Sequence, residues 1–249
     1  MIAASRARLL EQVGDSETVL DVGGWALPLA RADWVLDLMP YETRGSLGRD
    51  GAPGDERFTA GTWVTRDICD RAPWPFEDGQ FDFVVCSQTL EDVRDPIWVC
   101  GELQRVGRAG YVEVPSRLVE QSWWVQGPWI GYGHHRWLID VEAGAIEFVS
   151  KPHSITGIDG AGFPNGYAQA LSEEERNHSL WWDGSFGFRE RLFYEDAELR
   201  SYLTDFVAAN LARVPESQLA RAYVPARGGL AGRVLSLLRG GRRPYGARP

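Results

Sequence analysis

Asp21 with Gly23 and Gly24, then Asp37, then Asp67, then Ser87 follow one another through the first part of the chain, each at or near the end of a short apolar run. Glycines let a ligand approach the backbone closely, and an acid at the next strand tip accepts hydrogen bonds from both hydroxyls of a ribose. Taken singly, the glycines read as a turn and Asp37 as a loop acid. Taken together, they have the chemistry of a site for a nucleoside-containing cofactor. A second group comes later: His134 and His135 are two of the four histidines and stand side by side.

The elements that must position these residues are buried strands. VLDVGG (19–24) and WVLDL (34–38) are nearly continuous apolar runs, as are FDFVVCS (81–87) and GYVEVP (110–115), with a helix predicted over 96–106 between the last two. A short amphipathic helix precedes them over 3–13, and the Gly- and Pro-rich stretch 45–61 reads as a loop. Strands alternating with helices imply a parallel sheet with right-handed crossovers, and an open sheet of this kind binds ligands at the carboxyl ends of its strands. The expected fold class is α/β, an open Rossmann-like and mostly parallel sheet with flanking helices, plus a hairpin and a helical C-terminal elaboration.

Three stretches together resemble the class I S-adenosylmethionine-dependent methyltransferases of the type 11 branch: VLDVGG, RDICDRAPWPFEDGQFDFVVCSQTLEDVRDP (66–96) and ELQRVGRAGYVEVPS (102–116). The resemblance covers roughly the first 115 residues, and P-F-x-D-x-x-F-D is its most specific part. It implies S-adenosyl-L-methionine as cofactor. By that likeness Asp21, Gly23 and Gly24 surround the methionine and ribose portion, Asp37 is the ribose-binding acid, Asp67 and Ile68 touch adenine, and Ser87 to Leu90 close the pocket. The chain departs from the pattern in three places. Gly23-Gly24-Trp25-Ala26 replaces the usual G-x-G-x-G, and Pro28 falls within the short Asp21–Asp37 spacing, so the following helix is expected to be short or missing. Gln88 and Asp92 stand where histidines are frequent.

A sulfonium methyl is already activated, so a methyltransferase must exclude water, align the nucleophile and accept a proton where needed. Catalytic candidates are therefore His134 and His135, in the substrate-facing half. If 134–141 is extended, the two point to opposite faces and only one faces the methyl group, His134 being preferred for its polar neighbours. The alternative is that one is packed and the other caps a loop. A metal assisting a sugar hydroxyl through His134 or His135 and a nearby acid is a further reading, but two neighbouring histidines are weak evidence for it and no metal ligand is assigned.

The second half reads as an antiparallel hairpin (135–141 and 145–151) around Glu142-Ala143-Gly144, a capping box at Ser172 to Glu175, and a helix with Leu199, Tyr202, Leu203 and Phe206 on one face. Expected boundaries are 1–116 for the cofactor-binding core, 117–228 for sheet completion and substrate cover, and 229–249 for a basic, disordered tail. Trp123, Trp124, Trp129, Trp181 and Trp182 suit a ring-shaped or apolar acceptor.

Composition narrows the rest. With 249 residues, 44% apolar and 24% charged, the chain has ordinary globular composition. A net charge of −9 disfavours nucleic acid as a partner. The only lysine, Lys151, lies outside any P-loop, and G-x-S-x-G, H-E-x-x-H and EF-hand spacings are absent. Cys69, Cys86 and Cys100 define neither a disulfide framework nor a zinc knuckle, which points to a reduced, cytoplasmic setting without a membrane span. The expected function is methyl transfer to a small-molecule acceptor, an oxygen of a sugar or secondary metabolite. A non-catalytic relative acting as a binding or scaffold partner in a biosynthetic complex is the alternative, and a nicotinamide-dependent Rossmann enzyme is a third that leaves P-F-x-D-x-x-F-D unexplained.

Overall fold

In chain order, the computed structural model places α1 (Ala3–Gln12), β1 (Val19–Val22), β2 (Trp34–Asp37), β3 (Trp63–Thr65), β4 (Phe81–Ser87), α2 (Pro96–Val106) and β5 (Gly107–Pro115). There follow α3 (Arg117–Glu120), β6 (Trp137–Glu142), β7 (Ala145–Ser150), α4 (Tyr167–Ala170), α5 (Glu173–Arg176), β8 (Asn177–Asp183), β9 (Gly187–Glu190) and α6 (Asp196–Leu211). The structure describes residues 1–52 and 54–211, so the predicted basic tail at 229–249 lies outside the described residues.

The main sheet has six strands in the order β3-β2-β1-β4-β5-β8. The first five are parallel and β8 runs antiparallel to β5. This is a mixed α/β, Rossmann-like sheet whose strand order reverses between β1 and β4, where a crevice opens at the carboxyl ends. Alternation in β4 shows how both faces come to be buried: Phe81, Val84 and Cys86 join one core cluster while Phe83 and Val85 join the other. The first cluster includes Val99, Cys100 and Leu103 of α2 and Ile139, Ile146 and Phe148 of the hairpin; the second includes Leu9 of α1.

Local chemistry explains the well-predicted elements. Asp95 caps α2 by accepting the Trp98 N–H at 3.0 Å, with Pro96 at the first helical position, which needs no donor. The β6–β7 hairpin closes through Ala143 (φ 48°) and Gly144 (φ 78°), the two left-handed residues of a tight turn matching the strand twist.

Among the described residues, α2 is the one α-helix in a crossover between parallel strands, in keeping with the short or missing helix expected after β1 and the loop expected over 45–61, because Pro28 and the Gly- and Pro-rich stretch favour loop over helix. The hairpin and β9 form a second, three-stranded sheet, covered by Leu203 of α6 through Leu138 and Val149. The strand of the later half that joins the main sheet is β8, which the sequence reading missed. β5 also starts three residues earlier than predicted. No helix among the described residues is long and apolar enough to cross a membrane.

Candidate functional site

The carboxyl ends of β1, β2 and β4, the segment after β3, and the loop before β6 surround a cleft of about 910 Å³. Asp21, Gly23, Gly24, Asp37, Asp67, Ile68, Ser87, His134 and His135 all line it. Parallel pairing brings the acids together, since Asp21 sits beside Val35 and Val85, and Asp37 beside Thr65.

The loop after β1 is held by carboxylates where a helix was expected to be short or missing. Asp21 accepts the Leu29 N–H at 2.9 Å, Asp37 accepts those of Trp25 at 3.0 Å and Met39 at 2.8 Å, and Asp50 accepts that of Ala30 at 3.0 Å. Burial pushes the Asp21 carboxyl up to about 7 against the Leu29 hydrogen bond, with repulsion from Asp37 adding to the rise. Burial raises Asp37 as well, opposed by its backbone donors. Gly23 takes φ 79°, and a Cβ there would come within 2.2 Å of Thr89 Oγ1; a Cβ on Gly24 would lie 2.2 Å from Asp21 Oδ2. Both glycines are therefore required by close packing against the cleft floor.

On the β3 side, Asp67 accepts the Cys69 N–H at 2.9 Å and pairs with Arg94. Burial works to raise its carboxyl, but the Arg94 hydrogen bond and the Cys69 N–H outweigh it and hold the group below its ordinary value. At the tip of β4, Ser87 Oγ donates to Glu113 at 3.1 Å, and Gln88, with φ 55°, donates to Glu113 at 3.2 Å and to Asn177 at 2.8 Å. The hydroxyl of Ser87 is thus tied to the floor of the cleft.

Sequence reasoning missed Glu91 and the setting of Asp92. Glu91 is buried against the cleft, its Oε2 has no hydrogen-bond partner among the described residues, and burial raises its carboxyl well above the ordinary value. Nothing in an L-E-D tripeptide announces this.

The histidines also differ from expectation. β6 begins at Trp137, so His134 and His135 lie in the preceding loop and do not alternate across a strand. Their rings meet edge to face at 4.5 Å, and both Nε2 atoms approach Asp92 Oδ1, at 4.0 and 3.9 Å. His135 Nδ1 is 2.6 Å from Glu120 Oε1, whose other oxygen accepts from Lys151 Nζ at 2.8 Å. Burial raises the Glu120 carboxyl, but the His135 hydrogen bond and the Lys151 charge overcome this and keep it below its usual value. His134 and His135 also line a second cavity of about 880 Å³ with Trp129, Tyr132 and His153. Of the five tryptophans proposed for an acceptor, Trp129 lines this cavity, whereas Trp182 is in the core and Trp181 packs at a tilt against Tyr111.

Residues 49–112 match the family model described as "Methyltransferase domain". The match runs over β3, β4, α2 and the first part of β5, the stretch that carries P-F-x-D-x-x-F-D, and the resemblance it accompanies implies S-adenosylmethionine as the cofactor. Among solved structures, the chain is similar to an S-adenosylmethionine-dependent methyltransferase from Mesorhizobium loti (13% identity, 60% of this chain and 64% of that one, TM-score 0.34). Similar too are a SAM-dependent methyltransferase from Aquifex aeolicus (17%, 45% and 64%, TM-score 0.30) and an arsenic(III) S-adenosylmethionine methyltransferase from Chlamydomonas reinhardtii (19%, 45% and 49%, TM-score 0.29). The chain spans between 52% and 64% of the length of the first solved structures it matches. No curated protein sequence matches it.

The cleft fits this cofactor on its own chemistry. Its volume suits a nucleoside-sized ligand, the Gly23–Gly24 floor allows close approach, and the buried Glu91 carboxyl in the lining keeps one oxygen without a partner among the described residues.

Proposed function

We propose that this chain is an S-adenosylmethionine-dependent methyltransferase acting on an oxygen of a small-molecule acceptor, a sugar or secondary metabolite. The observation that carries the reading is the convergence of Asp21, Asp37, Asp67, Ser87 and the histidine pair on one cleft.

In this reading Asp37 holds the ribose hydroxyls, Asp67 and Ile68 flank the adenine, and the Gly23–Gly24 floor with Asp21 accommodates the methionine portion. The bound cofactor supplies a sulfonium-activated methyl group. Binding in the cleft excludes water from the reacting centre, and the Asp21 carboxyl in the lining, once ionised, favours a cationic ligand over a neutral one. The acceptor enters from the second cavity, where Trp129 and Tyr132 provide flat apolar surface. Its hydroxyl meets the wall shared by the two cavities, formed by His134 and His135, and loses its proton there. Glu120 fixes the His135 ring, and the Glu120–Lys151 pair keeps that support rigid.

The first test is calorimetric titration with S-adenosylhomocysteine, followed by a screen of sugar and aromatic hydroxyl acceptors with methyl-labelled cofactor. Saturable 1:1 binding and acceptor-dependent label transfer are expected. Absence of binding by the folded chain would sink the proposal. A second reading, a cofactor-binding scaffold without turnover, is favoured by one observation: the N–H groups of Trp25, Leu29 and Ala30 are already taken by Asp37, Asp21 and Asp50. Binding without label transfer across the acceptor screen is the result it expects.

A further inference from the structure

Three hydrogen-bond acceptors meet at the wall between the two cavities with no donor resolved among them. Glu120 is buried with one oxygen 2.6 Å from His135 Nδ1 and the other accepting from Lys151 Nζ at 2.8 Å, an arrangement that places the His135 ring proton on Nδ1 and leaves the Nε2 lone pair free. His134 makes the matching arrangement on its side, with Nδ1 at 3.3 Å from the Gln126 carbonyl oxygen Oε1. Its Nε2 lone pair is left facing inward too. Both lone pairs approach Asp92 Oδ1, at 3.9 Å from His135 and 4.0 Å from His134, too long for a hydrogen bond. The three ligand atoms all lie within 4.8 Å of one another.

We propose that Asp92, His134 and His135 bind a divalent first-row transition-metal ion through Asp92 Oδ1 and the two Nε2 atoms. Two imidazoles and one carboxylate form a donor set of borderline hardness, suited to zinc, cobalt, manganese or ferrous iron and poorly suited to magnesium or calcium, which prefer oxygen alone. Ligand bonds of about 2.0–2.2 Å to a shared ion need only a small inward rotation of the three side chains. The support around the site is of the kind that metal-binding histidines use. The Glu120 carboxylate on His135 Nδ1 fixes the tautomer and raises the basicity of Nε2, and the stacked Tyr132 ring, 4.4 Å away, holds the imidazole plane. The sequence alone offered the histidines with an unnamed acid and could not identify that acid, because Asp92 lies more than forty residues before the histidines and reaches them only through the fold.

Three protein ligands leave coordination positions open, and His134 and His135 border both cavities. Resting on the methyl-transfer reading, the ion takes the acceptor's hydroxyl oxygen as a further ligand and lowers its pKa, the proton leaving to solvent. The histidines then act as ligands and not as the base.

The test is titration of the untagged full chain with Co²⁺ alone, without cofactor or acceptor, read by d–d absorbance and by calorimetry. One saturable site per chain is expected. Asp92→Asn and His134→Gln change side chains that are 44% and 54% exposed, so folding is not at risk, and circular dichroism checks it. Each variant should weaken Co²⁺ binding roughly tenfold to a hundredfold or more. No saturable site in the wild-type chain, or a site whose affinity is unchanged in both variants, would overturn the proposal. Either of those results leaves S-adenosylhomocysteine binding and label transfer untouched, so the two readings fail separately.

Discussion

The carboxylate of Asp37 accepts the backbone N–H of Trp25 at 3.0 Å and so ties the tip of β2 to the loop that follows β1. A helix after that loop would present free N–H groups to a ligand. Here the acid does part of that work by fixing the loop, while its remaining lone pairs face the cleft. Asp37→Ala therefore removes a candidate ribose acceptor and a loop anchor together.

Calorimetry should show S-adenosylhomocysteine binding weakened by about 1.5–3 kcal/mol in Asp37→Ala, roughly ten- to hundredfold, because hydrogen bonds to a charged acceptor are lost. Asp37→Asn keeps one oxygen for the Trp25 N–H and should retain the loop while still losing affinity. Unchanged affinity in a folded Asp37→Ala chain would remove Asp37 from the site.

Much of this framework was legible before the fold. β4 and α2 match their predicted bounds because a continuous apolar run buried on both faces and an Asp-Pro cap are local signals. The strand-tip acids were legible for the same reason. β8 was not: Leu180 and Trp182 face the core, but Trp181 between them packs on the opposite face against Tyr111, which erases the alternation, and a four-residue capped helix leads directly into it. The relation of Asp92 to His134 and His135 was hidden because only tertiary packing creates it. The same holds for Glu91, whose missing partner is a property of its burial and not of its type.

Asp21 should make stability depend on pH. Its folded-state value is raised from 3.8 to about 7, so between those limits the folded chain holds a proton that the unfolded chain has released. Folding stability from this group is fully present below about pH 4 and is lost as pH rises toward 7, by at most about 4 kcal/mol at roughly 1.4 kcal/mol per unit. Urea denaturation across pH 4 to 8 should show that decline, and Asp21→Asn should flatten it. A cationic cofactor favours the ionised carboxylate, so S-adenosylmethionine affinity should rise from pH 6 to 8 in the wild type and lose that dependence in the variant. An identical slope in both chains would refute the assignment.

Gly23→Ala tests the cleft floor. The substitution places a Cβ 2.2 Å from Thr89 Oγ1 at a backbone φ of 79°, so it meets both a steric and a conformational penalty. A loss of about 1–3 kcal/mol in urea denaturation is expected, with reduced S-adenosylhomocysteine affinity as Thr89 is displaced. Adding Thr89→Gly should recover the steric part and leave the conformational part. Full recovery in the double variant would show that backbone strain plays no role at this position.

Lys151 shows how strongly the far side of the histidine wall is committed. Its ammonium donates to Glu120 Oε2 at 2.8 Å and to the Tyr132 carbonyl at 2.9 Å, and both it and Glu120 are buried. Lys151→Met removes one charge and leaves the other in place, which costs about 3–5 kcal/mol when a buried pair is broken from one side. Replacing Glu120 at the same time, as Glu120→Gln with Lys151→Met, removes both charges and should restore much of the loss. The double-mutant cycle by urea denaturation measures this coupling directly. Additive losses would mean that the two side chains stabilise the fold independently.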